Sequence, residues 1–283
     1  MKKIASNKCD SRNIPLPIQR EVRQRCGFGC VICGLPLYHY DHMKGWPTVH
    51  EHVATDITLL CDKHHREATS GLLPREKVAE ANKSPYNLKE GKSKPYTLHF
   101  EGDSCEIEIG SNRFNTKAVG YATESIPLIV DGIPLIGFVL ENGHLLLNLN
   151  LFDQFNGIIL RIVNNCLFYS VSPWDIQLVG RVLTIREKAR KFLIKIKFDP
   201  PNKIKIIKGR FLCNGVEILV DDDYMLLVNN NMLLKGNSAI NCHGGLVIGK
   251  IHTPIGCMIR ISEVNRYLGN SRKSLEWIES IKK

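Results

Sequence analysis

The spacing of four metal-ligating residues constrains this chain more than any other feature. Cys30-x-x-Cys33 puts two thiolates on one tight turn, with Gly34 directly after to allow left-handed backbone. Cys61-x-x-His64 repeats the device later in the chain. Three sulfurs and one imidazole make a closed tetrahedral set suited to structural zinc. The segment from Arg25 to Gly71 has few large apolar side chains, so it cannot build much core, and a metal staple offsets that deficit. Buried cysteines of a reduced protein would account for a single Cys-x-x-Cys. The second half at this spacing favours zinc.

Between the two halves lie residues suited to metal-assisted chemistry. Asp41 and His42 are adjacent, so on a strand they point to opposite faces, while at a bend both can border one site. His65 follows His64 on the helix that begins near Cys61, and neighbours on a helix point about 100° apart. His64 can therefore face the zinc while His65 faces the Asp41-His42 strand. That leaves Asp41 and His65 in reach of a hard divalent cation and His42 free. A neutral imidazole near pH 7 is suited to taking a proton from an attacking water.

These residues resemble the HNH nucleases, of ββα-metal (His-Me finger) fold, in the branch with a zinc-bound knuckle. Asp41-His42-Met43 fits the family's first strand, and Asp56-Ile57-Thr58-Leu59-Leu60-Cys61-Asp62-Lys63-His64-His65 its second strand and helix start. The resemblance implies His42 as general base and Asp41 and His65 as ligands of a catalytic divalent ion, Mg²⁺ or another. It implies Cys30, Cys33, Cys61 and His64 as ligands of structural zinc. Two positions depart from the family pattern. Asp56 stands where the family has Asn: it can accept a hydrogen bond from His42 but cannot donate one, and it can instead join the metal shell. His64 stands where the family has a fourth Cys, which zinc tolerates. The resemblance spans about a sixth of the chain. His39, His50 and His52 do not sit at matching offsets and are expected as surface histidines. Lys44 and Arg66 are candidate phosphate contacts, with a solvated charge as the bland alternative for each.

The charge balance agrees with a nucleic-acid partner. Of the net +10, residues 1–99 carry 16 Lys plus Arg against 10 Asp plus Glu, while the remainder carries 22 against 18. The excess lies where the nuclease-like module lies, and a basic surface raises the local concentration of nucleic acid. No secretory leader follows Met1-Lys2-Lys3, and no apolar run is long enough to cross a bilayer. The expectation is a cytoplasmic chain with reduced cysteines. Cys105, Cys166, Cys213, Cys242 and Cys257 are expected as small core or strand residues.

Taken in order, Met1 to Leu16 is polar and is expected to be loose. Pro17 to Cys26 reads as a helix stopped by Gly27, with Arg20, Arg23 and Arg25 expected on a solvated face and a DNA-facing role as the alternative. Pro74 to Asn82 reads as a second short helix. Lys83 to Pro95, with two prolines, a glycine and four lysines, reads as a basic linker. From Tyr96 the period changes to two, and strands alternate with turn signals at Asp131-Gly132, Asn142-Gly143, Asn156-Gly157, Asn164-Asn165 and Asn214-Gly215. One of these strands is expected to run from Ala239 to Ile251. Lys195, Lys197, Lys203 and Lys205 fall on one face of adjacent strands, either a basic stripe or the wet side of a sheet. An echo between Phe152–Ile162 and Arg186–Ile196 fits stacked repeats, though two hairpins of any β fold would look alike. Arg272 to Ile281 reads as a closing helix that docks on the β domain or on another subunit.

The expected fold class is α+β: a zinc-stapled ββα-metal domain over residues 1–82, a linker over 83–95, and a mostly-β domain over 96–283 forming a sandwich, barrel or β-solenoid. The expected function is metal-dependent hydrolysis of phosphodiester bonds in DNA. The residues do not separate DNA from RNA, and the family context points to prokaryotic restriction or anti-phage defence. Two rivals stand beside it: a zinc-stabilised nucleic-acid-binding module that does not cleave, and a nuclease subunit active only in a complex, its β domain serving a defence partner or a homo-oligomer.

Overall fold

The computed structural model describes residues 13–251 and 255–266. The fold is α+β and mostly strand, divided into two compact units. One ends at Lys94 and also takes in Trp174–Gln177; the other begins at Pro95. The helix expected at Arg272 to Ile281 lies outside the described residues.

The first unit opens with α1 (Leu16–Arg25), which begins one residue before the expected Pro17 and stops at Cys26. Its stop is conformational, because Gly27 and Phe28 both take positive φ (67° and 60°). Then come β1 (His39–His42), the short α2 (Trp46–Val49) and a 3₁₀ turn at Ala54–Asp56. β2 (Ile57–Leu60) pairs antiparallel with β1, and α3 (Asp62–Thr69) follows directly. The register sets Asp41 opposite Thr58 and His42 opposite Ile57. All four β2 residues are buried. Ile57, Leu59 and Leu60 join Val22, Cys26, Val31 and Val78 in one apolar cluster beneath the hairpin. Each such side chain contributes about 1.5–3 kcal/mol on burial.

The arginines of α1 do not form the expected solvated face. Arg23 is buried, donating from Nε and Nη2 to both oxygens of Asp175 (2.8 and 2.9 Å) and from Nη1 to the Tyr40 hydroxyl (2.7 Å). Burial opposes its charge, but the Asp175 hydrogen bonds prevail, and the guanidinium pKa is raised. Arg25 donates to Asn82 Oδ1 and to the carbonyls of Ala54 and Ile57, bracing the turn before β2. Arg20 stacks its guanidinium over the Trp174 ring, 4.4 Å from the centroid. Helix periodicity located this helix but could not show that its polar side faces a buried carboxylate.

The Lys83–Pro95 stretch is not an extended linker. After α4 (Arg75–Lys83), Pro85 starts a further short helix, α5 (Tyr86–Glu90). Tyr86 N donates to Val31 O, and the fully buried Asn87 donates from Nδ2 to Gly27 O (2.8 Å). α5 lies so close to the Cys30 turn that a Cβ on Gly34 would collide with Asn87 and the Tyr86 ring. Gly34 is needed there for clearance as well as for its φ of +77°.

The second unit holds two sheets. One runs in the order Cys257–Ile261, Gly244–Ile248, Ala122–Val130, Ile133–Glu141, His144–Phe152, Ile158–Val163, Cys166–Tyr169 and Tyr96–Thr97. Its first three strands are parallel and the others antiparallel. The other contains the antiparallel series Val182–Lys188, Lys191–Asp199, Lys203–Cys213, Val216–Asp221, Tyr224–Leu227 and Met232–Leu234. Ser104–Ile109 joins that series in parallel alongside Lys203–Ile206. Alternation is clean: Leu145, Leu147, Leu149 and Leu151 are fully buried, while the residues between them are not. Phe100 packs its ring against Phe138 of one sheet and Phe198 of the other. Four expected turns, Asp131-Gly132, Asn142-Gly143, Asn164-Asn165 and Asn214-Gly215, have positive φ at both residues, as tight hairpins with right-handed twist require.

Three expectations differ. The stretch from Ala239 to Ile251 breaks at Asn241 (φ +52°) into Ser238–Ile240 and Gly244–Ile248, which belong to different sheets. The hairpin echo likewise falls in two different sheets rather than in successive turns of a solenoid. The lysine stripe exists, with Lys197 opposite Lys205, but it is laced with acids. Lys197 pairs with Asp199 (2.8 Å), Lys203 with Glu106 and Glu108 (2.8 Å each), and Lys205 with Glu108 (3.4 Å). The period-2 pattern also missed Asn112–Lys117, whose only large apolar residue is Phe114.

Asp131 receives both arms of Arg266 (2.7 Å each) and Asn214 Nδ2 (2.8 Å). Burial alone would raise its carboxyl pKa, but these donors hold it below the ordinary value. A depressed folded-state pKa adds stability that is complete above the unfolded value and lost as pH falls through the folded one. Arg266→Met is therefore expected to destabilise the chain by about 1.5–3 kcal/mol at neutral pH. In denaturant melts the gap to the parent protein should narrow below about pH 4.

Candidate metal centre and the histidine-carboxylate cluster

Cys30, Cys33, Cys61 and His64 converge so that one ligand atom from each lies within 4.8 Å of all the others. The turn that carries Cys30 and Cys33 is closed by Gly34 N to Cys30 O and Cys30 N to Leu35 O. Cys61 caps α3 in extended conformation, and His64 follows in the first turn. His64 Nδ1 sits 3.3 Å from both Cys30 Sγ and Cys61 Sγ, and Cys33 Sγ lies 3.7 Å from Cys61 Sγ. A tetrahedral ion with bonds of about 2.3 Å to sulfur and 2.0–2.1 Å to nitrogen needs edges of about 3.8 and 3.5 Å. The spacing fits. Without an ion the sulfurs burden one another: contact with Cys33 and burial push the Cys30 thiol up to about 12, while the Cys33 thiol is lowered by that same contact. A cation relieves this crowding. The four residues could hold a metal ion such as zinc, and they form the one such group of three or more among the described residues.

α3 divides its two adjacent histidines as their angular separation requires. His64 turns to the sulfurs, and His65 Nε2 reaches Asp41 Oδ1 at 3.5 Å. Asp41 is buried, and its second oxygen accepts from Arg75 Nη1 on α4. His39, two residues earlier and so on the same side of β1, places its ring 5.2 Å from that of His65 and binds Asp62 at 2.6 Å.

His42 is buried and turns to His52, with Nε2 and Nδ1 3.2 Å apart. Burial lowers its pKa first and His52 second, while Asp56 and Asp41 oppose the shift. Asp56 accepts from Met43 N through its carbonyl (2.8 Å), joining the end of β1 to the start of β2. Its Oδ2 is buried with no hydrogen-bond partner among the described residues. Lys44 and Arg66 are exposed.

Asp41 and His65 therefore meet directly, and Asp41 and Asp56 both lie close enough to His42 for their charges to be felt there. Sequence reasoning passed over His52, His39 and Arg75. His52 is no surface histidine but buried beside His42, and its loop position carried no signal. His39 did carry one, since its two-residue offset from Asp41 puts both on one face. Comparison with protein-family models, with curated proteins and with solved structures returned no match.

The purified chain is expected to carry about one equivalent of metal at the sulfur site. Cobalt substitution should give the visible absorption of a tetrahedral thiolate centre. Cys33→Ser is expected to lose the ion and the cooperative unfolding of the first unit, while the transition of the second persists. Full metal content in that variant would reject the assignment.

Proposed function

We propose that the first unit is the catalytic module of a metal-dependent endonuclease of HNH (ββα-metal) type that hydrolyses phosphodiester bonds in DNA. The observation that carries this reading is the pairing of Asp41 with His65 across a strand-strand-helix frame whose helix start also supplies His64 to the sulfur cluster. That is the order and geometry implied by the resemblance of residues 30–65 to the family.

In this reading Cys30, Cys33, Cys61 and His64 hold structural zinc and keep α3 fixed against β1 and β2. Asp41 and His65 would hold the catalytic ion, a hard divalent cation such as Mg²⁺. That ion would polarise the scissile phosphate and stabilise the leaving oxygen. His42 takes the proton from the attacking water, and its lowered pKa keeps it neutral for that task. Asp56 supplies negative charge that favours the imidazolium formed in the step. His52 faces His42 and limits its freedom to turn. Lys44 and Arg66 are exposed and free to meet the phosphate backbone. Among the described residues no helix is long and apolar enough to cross a membrane.

A non-cleaving nucleic-acid-binding module is the second reading. What favours it is the engagement of Asp41 with Arg75, which already neutralises the carboxylate.

Cleavage of supercoiled plasmid with Mg²⁺, Mn²⁺ or EDTA separates the two. The nuclease reading expects cutting that EDTA abolishes and that His42→Ala slows about 10²–10⁴-fold. Equal cutting by parent and variant would remove His42 as the base. Metal-dependent retention of plasmid without cutting would favour the binding module. A single-stranded RNA of matched length tests the choice of nucleic acid.

A further inference from the structure

The nuclease reading gives Asp41 to a cation, yet Arg75 holds it. The Asp41 side chain is only 7% exposed, with His65 on one oxygen and Arg75 on the other. A carboxylate buried this deeply needs a counter-charge, and Arg75 supplies one. A divalent ion on Asp41 would compete with the guanidinium for that oxygen.

The position of Arg75 permits an exchange. It is the first residue of α4, directly after Pro74, and its side chain is 35% exposed. One end therefore lies at the surface while the other reaches the buried acid. Guanidinium groups favour carboxylate and phosphate alike, through the same planar fork. Charge favours the same exchange. Asp41 with Arg75 is neutral, whereas Asp41 with Arg75 and a divalent ion carries two positive charges. A phosphodiester brings one negative charge, and a second develops as water adds to phosphorus.

Resting on the nuclease reading, we infer that Arg75 is the phosphate clamp of the site. It closes Asp41 while no cation is bound, yields the carboxylate when one binds, and then pairs with a non-bridging oxygen of the scissile phosphate. Metal loading and substrate grip are thereby linked, because the guanidinium is free for phosphate only after the ion has taken its place.

The test uses the full chain with its sulfur site loaded, in a His42→Ala background so that bound DNA stays intact. Mn²⁺ alone is titrated by calorimetry or by its electron-spin resonance signal. A short fluorescent duplex is then titrated with and without Mn²⁺. Arg75→Ala and Arg75→Gln are both expected to bind Mn²⁺ several-fold more tightly, since a competing cation is gone. Both are expected to bind duplex about 10- to 100-fold more weakly with Mn²⁺ present, with little change when it is absent. The glutamine variant keeps a neutral donor beside Asp41 and guards against a fold defect in the alanine variant. Weaker or unchanged Mn²⁺ binding in both would overturn the competition and make Arg75 a support for Asp41. Unchanged duplex affinity with Mn²⁺ would overturn the clamp. Failure of the parent chain to cleave plasmid would count against the nuclease reading, and the two titrations would still decide the role of Arg75.

Discussion

The convergence of three sulfurs and one imidazole is what the rest of the first unit depends on. A two-strand hairpin with one short helix buries too little to hold its own geometry. Here the Cys30–Cys33 turn is drawn to the start of α3, which fixes the direction in which the helix leaves β2. Everything facing Asp41 is set by that direction, because His65 is the residue directly after His64. The same turn is gripped from outside by Asn87 and Tyr86, which occupy the space that side chains on Gly29 and Gly34 would fill.

Two buried carboxylates in this unit show how differently one charge can be used. Asp175 is fully buried and receives Arg23 through two aligned hydrogen bonds, with Tyr40 on the third arm of the guanidinium. Neither partner reaches solvent, and separating them would strand a charge at a cost of about 3–5 kcal/mol. Asp41 has two partners of a different kind, the His65 imidazole on one oxygen and the partly exposed Arg75 guanidinium on the other. The first pair is locked. The second, reaching the surface through Arg75, is the pair for which we infer exchange with a divalent cation.

The second unit follows simpler rules. Period-2 alternation buries one side of each strand, and Asn-Gly or Asp-Gly pairs close the hairpins at the left-handed angles their twist needs. Its lysines face neighbouring acids, so charges that look like a basic stripe along the chain are balanced across strands. In the first unit, Lys44 and Arg66 are exposed.

Local chemistry determined much of this protein. Ligand spacing placed Cys30, Cys33, Cys61 and His64 together, and the helical angle between adjacent residues sent His64 and His65 to different neighbours. Period-2 patterning located most strands, and paired turn residues located their ends. Each of these depends on residues a few positions apart, which a sequence states directly. Long-range partnership was decided only by the tertiary structure. Nothing near Arg23 names Asp175, nothing near Asp41 names Arg75, and nothing in a lysine-rich, proline-bounded stretch says that Asn87 will be buried against Gly27. The sorting of strands between two sheets is of the same kind, as with the break at Asn241, because hydrogen bonding across a sheet is indifferent to distance along the chain. A buried polar group must find a partner, but which partner depends on how the whole chain closes.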